Sequence, residues 1–256
     1  MNEHLMKLDI VEIGKRLYQK GFVASNDGNI SVRLSENEIL ITPSGVSKGY
    51  MSASDILKVD LEGRVISGTL KPSSEMKMHL AVYKSRQDVK GIVHAHPQKA
   101  TAFAVAGKAC DKIAVPEAVF SIGRVALAEY ATPTTDEVPR SVEKYIGTCD
   151  AILLSNHGAL TVGKDLFDAY YKMESVELFA QISLTAQKLG GARKFSPPEV
   201  KKLEEVREKF GIRIGGSACL NCGTCTGTCG LEQSTKSEYE DLVTEITTKI
   251  MKEMNA

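Results

Sequence analysis

Residues 71–96 read KPSSEMKMHLAVYKSRQDVKGIVHAH, and this stretch predicts a helix that leads into a buried strand. In its first half, Met76, Leu80 and Tyr83 recur at helical spacing behind two serines of the kind that cap helix N-termini. In its second half, GIVHAH has the length and composition of a buried strand, as does AILLSNHG at residues 151–158. The sequence therefore predicts a domain in which helices and strands are mixed.

The remaining periodicity extends this pattern in both directions. We predict an opening helix with its apolar stripe at Leu5, Leu8, Ile13 and Leu17, strands at residues 38–42 and 56–59, and helices at residues 166–189 and 199–210. The composition then changes to Gly, Cys, Thr and Ser. We expect a folded domain over residues 1–215, a Cys-rich linker over 216–236, and an amphipathic helix over 237–256.

Composition narrows the class of partner. The 256 residues are 43% hydrophobic, which suits a globular core, and Lys+Arg and Asp+Glu each number 32, so no net charge favours nucleic acid. Charged residues interrupt the first 20 positions, unlike a signal peptide, and no apolar run has transmembrane length. We expect a cytoplasmic protein that binds neither nucleic acid nor membrane.

Three histidines form the strongest chemical pattern. His94 and His96 are two residues apart, so on a strand both imidazoles leave the same face and can share one ion. His157 stands at a strand end before Gly158, where side chains are often presented to a site. Three imidazoles with one open position are typical of catalytic zinc. The alternative is that they are ordinary core or surface histidines.

Around these histidines, short polar segments suit an anion. Ser73, Ser74 and Glu75 lie at the predicted helix start, where backbone amides and the helix dipole favour phosphate. The turns NDGN at residues 26–29 and TPSG at residues 42–45 offer further amides. Plain helix capping and plain turns are the alternative interpretations. Beside a metal, Glu75 could carry a proton or act as a displaceable fourth ligand.

Five motifs, GNIS, ITPSG, KPSSEMKMH, VHAHP and NHG, occur in this order between Leu5 and about Ile214. Together they resemble the class II aldolase and adducin family, closest to its members that cleave L-fuculose 1-phosphate. The resemblance implies an α/β fold, a three-layer α/β/α sandwich around a mostly antiparallel sheet. It also implies a homotetramer with active sites at subunit contacts.

The resemblance assigns a role to each matching residue. Zinc ligands match His94, His96 and His157; the acid/base matches Glu75; phosphate-binding positions match Asn29, Ser44, Gly45, Ser73 and Ser74. His79 also matches a family position, and we interpret it as a residue that supports the site or packs. The implied reaction is zinc-dependent retro-aldol cleavage of L-fuculose 1-phosphate or a similar deoxyketose phosphate. Its products are dihydroxyacetone phosphate and an aldehyde such as lactaldehyde.

Comparison within the family separates some alternatives. Related epimerases carry aspartate where this chain has Glu75, and adducin-like binding modules lack metal histidines that this chain keeps. However, Phe120 and Phe210 stand where the fuculose enzymes have tyrosines that serve the aldehyde end. A dehydratase or epimerase acting on a pentulose phosphate, or an aldolase for another deoxyketose phosphate, therefore stays open.

The tail has its own pattern. Cys219, Cys222, Cys225 and Cys229 supply four thiolates, enough for an iron–sulfur cluster or a second zinc; the alternative is a flexible, redox-sensitive linker. Residues 237–256 form an apolar stripe behind a capping box. This helix either docks on the protein itself or resembles an encapsulation peptide that binds a bacterial microcompartment shell protein, with the enzyme then inside the microcompartment.

Overall fold

The computed structural model describes residues 2–110, 115–193 and 195–212. The predicted Cys-rich linker and C-terminal helix lie outside these residues. The strands are β1 (Asn29–Arg33), β2 (Glu38–Ile41), β3 (Leu57–Asp60), β4 (Val65–Ser67), β5 (Gly91–Ala95), β6 (Val125–Ala128), β7 (Ala151–Leu154) and β8 (Gly158–Gly163). The helices are α1 (Glu3–Gln19), α2 (Met76–Ser85), α3 (Gln98–Val105), α4 (Pro116–Ser121), α5 (Glu137–Ile146), α6 (Leu166–Lys188) and α7 (Pro197–Lys209).

The strands form one sheet in the order β4-β3-β2-β1-β5-β8-β7-β6. All neighbours are antiparallel except the parallel pair β6 and β7. The central strands β1, β5 and β8 are buried along their whole length, and for β5 the apolar run GIVHAH predicted this. The predicted α/β fold with a mostly antiparallel sheet is confirmed.

Helices cover both faces of the sheet, which gives three layers. Because side chains alternate along a strand, Val93 packs with α1, α3 and α6 on one face. Its neighbour Ile92 packs with α2 and α5 on the other face. Two separate apolar cores result, one on each side of the sheet, and together they hold the central strands in place.

Two local predictions were wrong. On α1, Ile13 and Leu17 are buried, but Leu5 and Leu8 are 54% and 44% exposed, since Met6 and Ile10 complete the packed stripe instead. At α2, the two serines do not cap the helix: it begins at Met76, and the residue at the N-cap position is Glu75. Glu75 therefore lies outside the first helical turn.

Within the described ranges, we find no helix with the combination of length and apolar composition that crossing a membrane requires.

Candidate active site

The three predicted metal histidines meet at one end of the central strands. His94 lies near the end of β5, His96 follows that strand, and His157 lies in the turn between β7 and β8. The strands β5 and β8 are antiparallel neighbours, with Ala95 opposite Ala159, so the end of one lies beside the start of the other. Residues 65 positions apart in sequence are thereby brought into contact, as in the hydrogen bond of the His94 ring with the Ala159 carbonyl.

Two glycines allow this close approach. A Cβ on Gly158 would lie 2.4 Å from Cδ2 of His96, so any other residue would displace that imidazole. Gly28 has a φ of +73°, and a Cβ there would lie 2.9 Å from the His94 carbonyl oxygen. The NHG and NDGN motifs thus carry glycine because the metal-site backbone leaves no room for a side chain.

The imidazole nitrogens are arranged to share one ion. One ligand atom from each of His94, His96 and His157 lies within 4.8 Å of the others, and Nε2 of His94 is 3.3 Å from Nε2 of His96. Two nitrogens bound to one tetrahedral zinc are about 3.3 Å apart. The Nδ1 of His94 donates to the Ala159 carbonyl over 2.9 Å, which leaves Nε2 as the free ligand atom. This donor set fits a divalent metal.

Glu75 faces the same cluster. Its Oε2 lies 3.2 Å from Nε2 of His94, and its Oε1 lies 3.3 Å from Nε2 of His157. Burial raises the pKa of Glu75, but His94, His157 and the Asn29 amide outweigh it and hold that pKa well below the ordinary value. Glu75 is therefore a buried carboxylate beside the three predicted metal ligands.

The histidines respond to burial and to one another. Burial and the neighbouring His94 and His157 lower the pKa of His96 to about 3. Burial likewise lowers the pKa of His157, with His94 adding to the effect. For His94, burial lowers the pKa but the Glu75 carboxylate raises it further, so the net shift is upward. Both shifts favour the neutral imidazole, the form that binds a metal.

The predicted phosphate-binding segments come together beside Glu75. The backbones of residues 42–44 and 71–73 pair: Ser44 N–H donates to the Lys71 carbonyl, and Ser73 N–H donates to the Thr42 carbonyl. Ser73 Oγ accepts from Glu75 N–H over 3.3 Å, so this cluster adjoins the carboxylate. The side chains of Ser44 and Ser74 are exposed and accessible to a ligand.

Asn29, also predicted to bind phosphate, is tied to Glu75. Its Nδ2 donates to Glu75 Oε2 over 2.9 Å, and its Oδ1 lies 2.5 Å from Nε2 of His79. His79 is fully buried, and its Nδ1 lies 2.6 Å from Ser31 Oγ. The family position at His79 is therefore occupied by a hydrogen-bonded residue that supports the site from behind.

Two charged residues near the site were missed by the sequence reasoning. Asp27 Oδ2 lies 3.7 Å from Nδ1 of His96. Lys48 is buried, and its ammonium group donates to the carbonyls of Asn26 and Val46. Asp27 stood within the quoted NDGN turn and could have been noticed, whereas Lys48 gave no signal because an isolated lysine is usually on the surface.

The positions that depart from the family pattern lie away from these contacts along the chain. Phe120 is in α4, and Phe210 follows α7 with 76% of its surface exposed. The four tail cysteines lie outside the described residues.

The fold and the three-histidine site define a class of metal-site α/β proteins, and comparison with known proteins identifies the family. Residues 8–184 match the Class II Aldolase and Adducin N-terminal domain, so the chain belongs to that family. It is 37% identical to the L-fuculose phosphate aldolase of Methanococcus maripaludis over 175 residues, which cover 68% of this chain and 94% of that protein.

Other relatives show how the family diverges in substrate. The 3-oxo-tetronate 4-phosphate decarboxylase of Haemophilus influenzae is 33% identical over 210 residues, covering 80% of this chain and 98% of that protein. A solved L-fuculose 1-phosphate aldolase structure superposes with a TM-score of 0.74 at 32% identity, covering 80% of this chain and 96% of that one. The chain is similar to lyases of more than one specificity.

Proposed function

We propose that this protein is a zinc-dependent aldolase that cleaves a ketose 1-phosphate, with L-fuculose 1-phosphate or a similar deoxyketose phosphate as substrate. The products are dihydroxyacetone phosphate and an aldehyde such as lactaldehyde. The observation that carries the proposal is the position of Glu75, whose two oxygens lie 3.2 and 3.3 Å from two of three converging imidazoles.

The first task of the site is to bind the phosphate. Ser44, Gly45, Ser73 and Ser74 present hydroxyls and a turn backbone on two paired segments next to Glu75. Gly45 has a φ of +74°, and the space around the position of a Cβ is open, so its backbone is accessible to an anion. A phosphate held here would place the rest of the ketose toward the histidines.

The second task is to move a proton. In the cleavage, the C3–C4 bond breaks and its electron pair stays with C3 as an enediolate, while the C4 hydroxyl loses its proton and becomes the aldehyde. As a carboxylate, Glu75 takes up the proton released from the C4 hydroxyl, and as a carboxyl group it delivers that proton to C3, so the protons balance. A zinc ion held by His94, His96 and His157 supplies a Lewis acid that stabilises the negative charge.

A second candidate is decarboxylation of an oxo-acid phosphate, which the similarity to the Haemophilus influenzae decarboxylase favours. Loss of carbon dioxide also leaves a carbanion beside a metal, so the same residues could serve it. Against this candidate, the half-exposed carboxylate of Asp27 lies beside His96 at the site. A substrate carboxylate brought near it would meet a like charge, so we prefer a ketose phosphate that carries no carboxylate.

The deciding experiment is a panel of sugar phosphates with two readouts, release of dihydroxyacetone phosphate and release of carbon dioxide. The panel includes L-fuculose 1-phosphate, other deoxyketose 1-phosphates, a pentulose phosphate and 3-oxo-tetronate 4-phosphate. We expect dihydroxyacetone phosphate from a ketose 1-phosphate, lost with a chelator and restored by zinc. Carbon dioxide release, epimerisation or dehydration without any cleavage would each contradict the proposal.

Metal content needs a separate control, because the tail cysteines could bind zinc too. In a variant with Cys219, Cys222, Cys225 and Cys229 all replaced by serine, we expect one zinc per chain and unchanged turnover. Adding His96→Ala to that variant should remove the remaining zinc. A variant that kept zinc without His96 would place the metal elsewhere.

We also propose that the enzyme is a cytoplasmic homotetramer and that residues 237–256 bind a microcompartment shell protein. Large apolar side chains that are well exposed in the single chain, such as Tyr50, Tyr130 and Leu189, support burial in an assembly. Confinement would also suit a reactive aldehyde product. Deleting residues 237–256 should leave the protein tetrameric but abolish its co-sedimentation with shell proteins. Unchanged co-sedimentation would contradict the shell proposal.

A further inference from the structure

Behind Glu75, a line of buried polar side chains crosses from α2 to β1 and back to the site. Tyr83 OH lies 2.9 Å from Ser31 Oγ, and Ser31 Oγ lies 2.6 Å from His79 Nδ1. His79 Nε2 then lies 2.5 Å from Asn29 Oδ1, whose amide donates to Glu75 Oε2 over 2.9 Å. Tyr83, Ser31 and His79 are 0% exposed and Asn29 is 3% exposed. We call these four residues the buried relay.

The hydrogen bonds of the buried relay can run in only one direction. Because the Glu75 carboxylate can only accept, the Asn29 group facing it must be the NH2, and the Asn29 carbonyl must face His79. That carbonyl needs a donor, so His79 carries its proton on Nε2. Burial and the nearby His94 lower the pKa of His79 to about 3, so the ring is neutral and Nδ1 accepts from Ser31. Ser31 Oγ in turn accepts from Tyr83.

We propose that His79 is a positioning residue for the aldol reaction: through Asn29 it holds Glu75 Oε2 still, so that Oε1 is the oxygen that carries the proton. This proposal rests on the proposed function. Glu75 Oε1 is buried, makes no hydrogen bond to any residue that the structure describes, and lies 3.3 Å from Nε2 of the predicted metal ligand His157. Both oxygens lie beside a histidine of the site, but only Oε2 is also held by the Asn29 amide, which leaves Oε1 to carry the proton.

Packing alone does not explain this arrangement. An aliphatic side chain of similar size at position 79 would fill the core between α2 and β1, and it would require no partners. The chain instead spends four buried polar groups, each of which must be satisfied, in a line that ends on the carboxylate. A polar line that served packing only would have no reason to end there.

The first test reads the proton positions directly. In the full-length protein with 15N-labelled histidine, we expect His79 to be neutral, protonated on Nε2, between pH 5 and 8. Its resonances among the five histidines are identified by their loss in His79→Gln. His94 gives an internal contrast: its Nδ1 donates to the Ala159 carbonyl, so its proton should be on Nδ1, whereas that of His79 should be on Nε2. A His79 protonated on Nδ1, or charged at pH 6, would overturn the proposal.

The second test separates positioning from folding by kinetics. His79→Leu removes the donor to Asn29 and should lower kcat about 100-fold with KM changed less than about twofold, the scale for a misplaced catalytic group. His79→Gln keeps an N–H donor toward Asn29 and should recover most of the lost kcat. Equal kcat losses in the two variants, or wild-type kcat in a folded His79→Leu, would show that the relay does not position Glu75.

A third variant keeps the proposal testable if His79→Leu does not fold. Ser31→Ala removes the donor to His79 Nδ1 without touching the ring, and we expect a kcat loss of about 10-fold, within the range for residues that orient a site. Unchanged kcat in Ser31→Ala would contradict the relay. A wild-type protein that cleaves no ketose phosphate would overturn the proposed function, whereas a wrong His79 tautomer in an active enzyme would overturn the relay alone.

Discussion

Two polar clusters lie at opposite ends of the same central strands and of the same helix, α2. The site cluster (Asn29, Glu75, His94, His96 and His157) adjoins the start of α2, where Glu75 is the N-cap residue. The far-end ion cluster (Arg86, Asp150, Asp168 and Lys172) adjoins its end, where Arg86 is the C-cap residue. Both clusters include side chains that are almost wholly buried, so they differ in their chemistry and not in their degree of burial.

In the far-end ion cluster, opposite charges meet in pairs. Arg86 lies 2.6 Å from one oxygen of Asp150, and Lys172 lies 2.8 Å from the other. Lys172 also pairs with Asp168 over 3.0 Å. The arrangement joins α2, α6 and the start of β7, and its charges are satisfied without any ligand. We interpret it as part of the structural support of the sheet.

The site cluster is unlike this. Imidazole nitrogens of His94 and His96 face each other at 3.3 Å, and within the described part of the chain the buried Glu75 Oε1 has no hydrogen-bond partner. Buried polar groups are nearly always paired, so an exception needs an explanation. In the function that we propose, a shared metal ion and a substrate supply the missing partners. Incomplete pairing, rather than burial or charge alone, is what distinguishes the functional end of the strands from the structural end.

The largest expected effect comes from removing the charge of Glu75 in the site cluster. Glu75→Gln keeps the size of the side chain but can neither accept nor deliver the proton, so kcat should fall by up to about 10⁴-fold. Zinc content and the urea unfolding midpoint should stay close to wild type. The measurement is kcat, determined from the release of dihydroxyacetone phosphate in a stopped assay.

A matched glutamate provides the control for that change. Glu62→Gln removes an exposed carboxylate that pairs with Lys84 at the surface, and it should leave kcat unchanged. Activity of Glu75→Gln within tenfold of wild type would show that another group moves the proton.

The next largest effect comes from removing a charge from the far-end ion cluster. Asp150→Asn leaves Arg86 and Lys172 without their shared carboxylate, and it should lower the free energy of unfolding by about 3 kcal/mol. The folded fraction should keep near-normal kcat, because these residues lie at the opposite end from Glu75. Urea titration followed by circular dichroism measures the stability. As control, Asp136→Asn breaks the exposed pair with Lys77 and should not move the unfolding midpoint.

The opposite pattern, with Asp150→Asn stable but inactive, would mean that the two ends are coupled through α2 and the strands. The site cluster and the far-end ion cluster would then not have separate roles.

The sequence predicted the site cluster better than the far-end ion cluster. The buried runs GIVHAH and AILLSNHG predicted strands, and spacing placed His94 and His96 on one face, because strand periodicity is a local property. The order of the family motifs supplied His157 and Glu75. Strands β4, β6 and β8 and helices α3, α4 and α5 were not predicted; β4 is short and exposed, so no buried apolar face marks it in the sequence.

What local pattern could not show is which distant residues meet. Asp150 and Lys172 are 22 positions apart, and Lys48 and Asn26 are also 22 apart, on different loops or elements. Nothing in the composition around Lys48 separates it from a solvated surface lysine. Its burial follows from the packing of the turn at residues 48–50 on α1, where a Cβ on Gly14 would lie 2.5 Å from the Lys48 carbonyl oxygen. Such contacts depend on the whole fold.

The smallest effect concerns Lys48, which is buried near the site cluster and donates hydrogen bonds to two backbone carbonyls. Its ammonium group joins Asn26 to Val46 over 3.0 and 2.6 Å. These residues lie in the loops that carry Asn29 on one side and Ser44 and Gly45 on the other. Lys48→Met should loosen the loops, and we expect KM to rise about 10-fold, equivalent to about 1.4 kcal/mol, with kcat little changed.

The same lysine predicts a pH dependence. Burial lowers the pKa of Lys48 to about 8, and the Asp27 carboxylate offsets only part of that effect. A lowered lysine pKa means that the folded protein releases the proton before the unfolded chain does, so between about pH 8 and 10.5 this group makes stability rise with pH. Over the same interval the positive charge near the phosphate loops is lost, so KM should rise.

Lys48→Met should abolish both trends, whereas Lys84→Met, which changes an exposed lysine, should keep them. A wild-type KM that stays flat from pH 7 to 9.5, with Lys48→Met equal to wild type, would show that the phosphate loops hold together without Lys48. Because the loops lie beside the site cluster and not the far-end ion cluster, the variant should affect substrate binding much more than unfolding. The contrast between Lys48→Met and Asp150→Asn tests whether the site cluster binds ligands while the far-end ion cluster stabilises the fold.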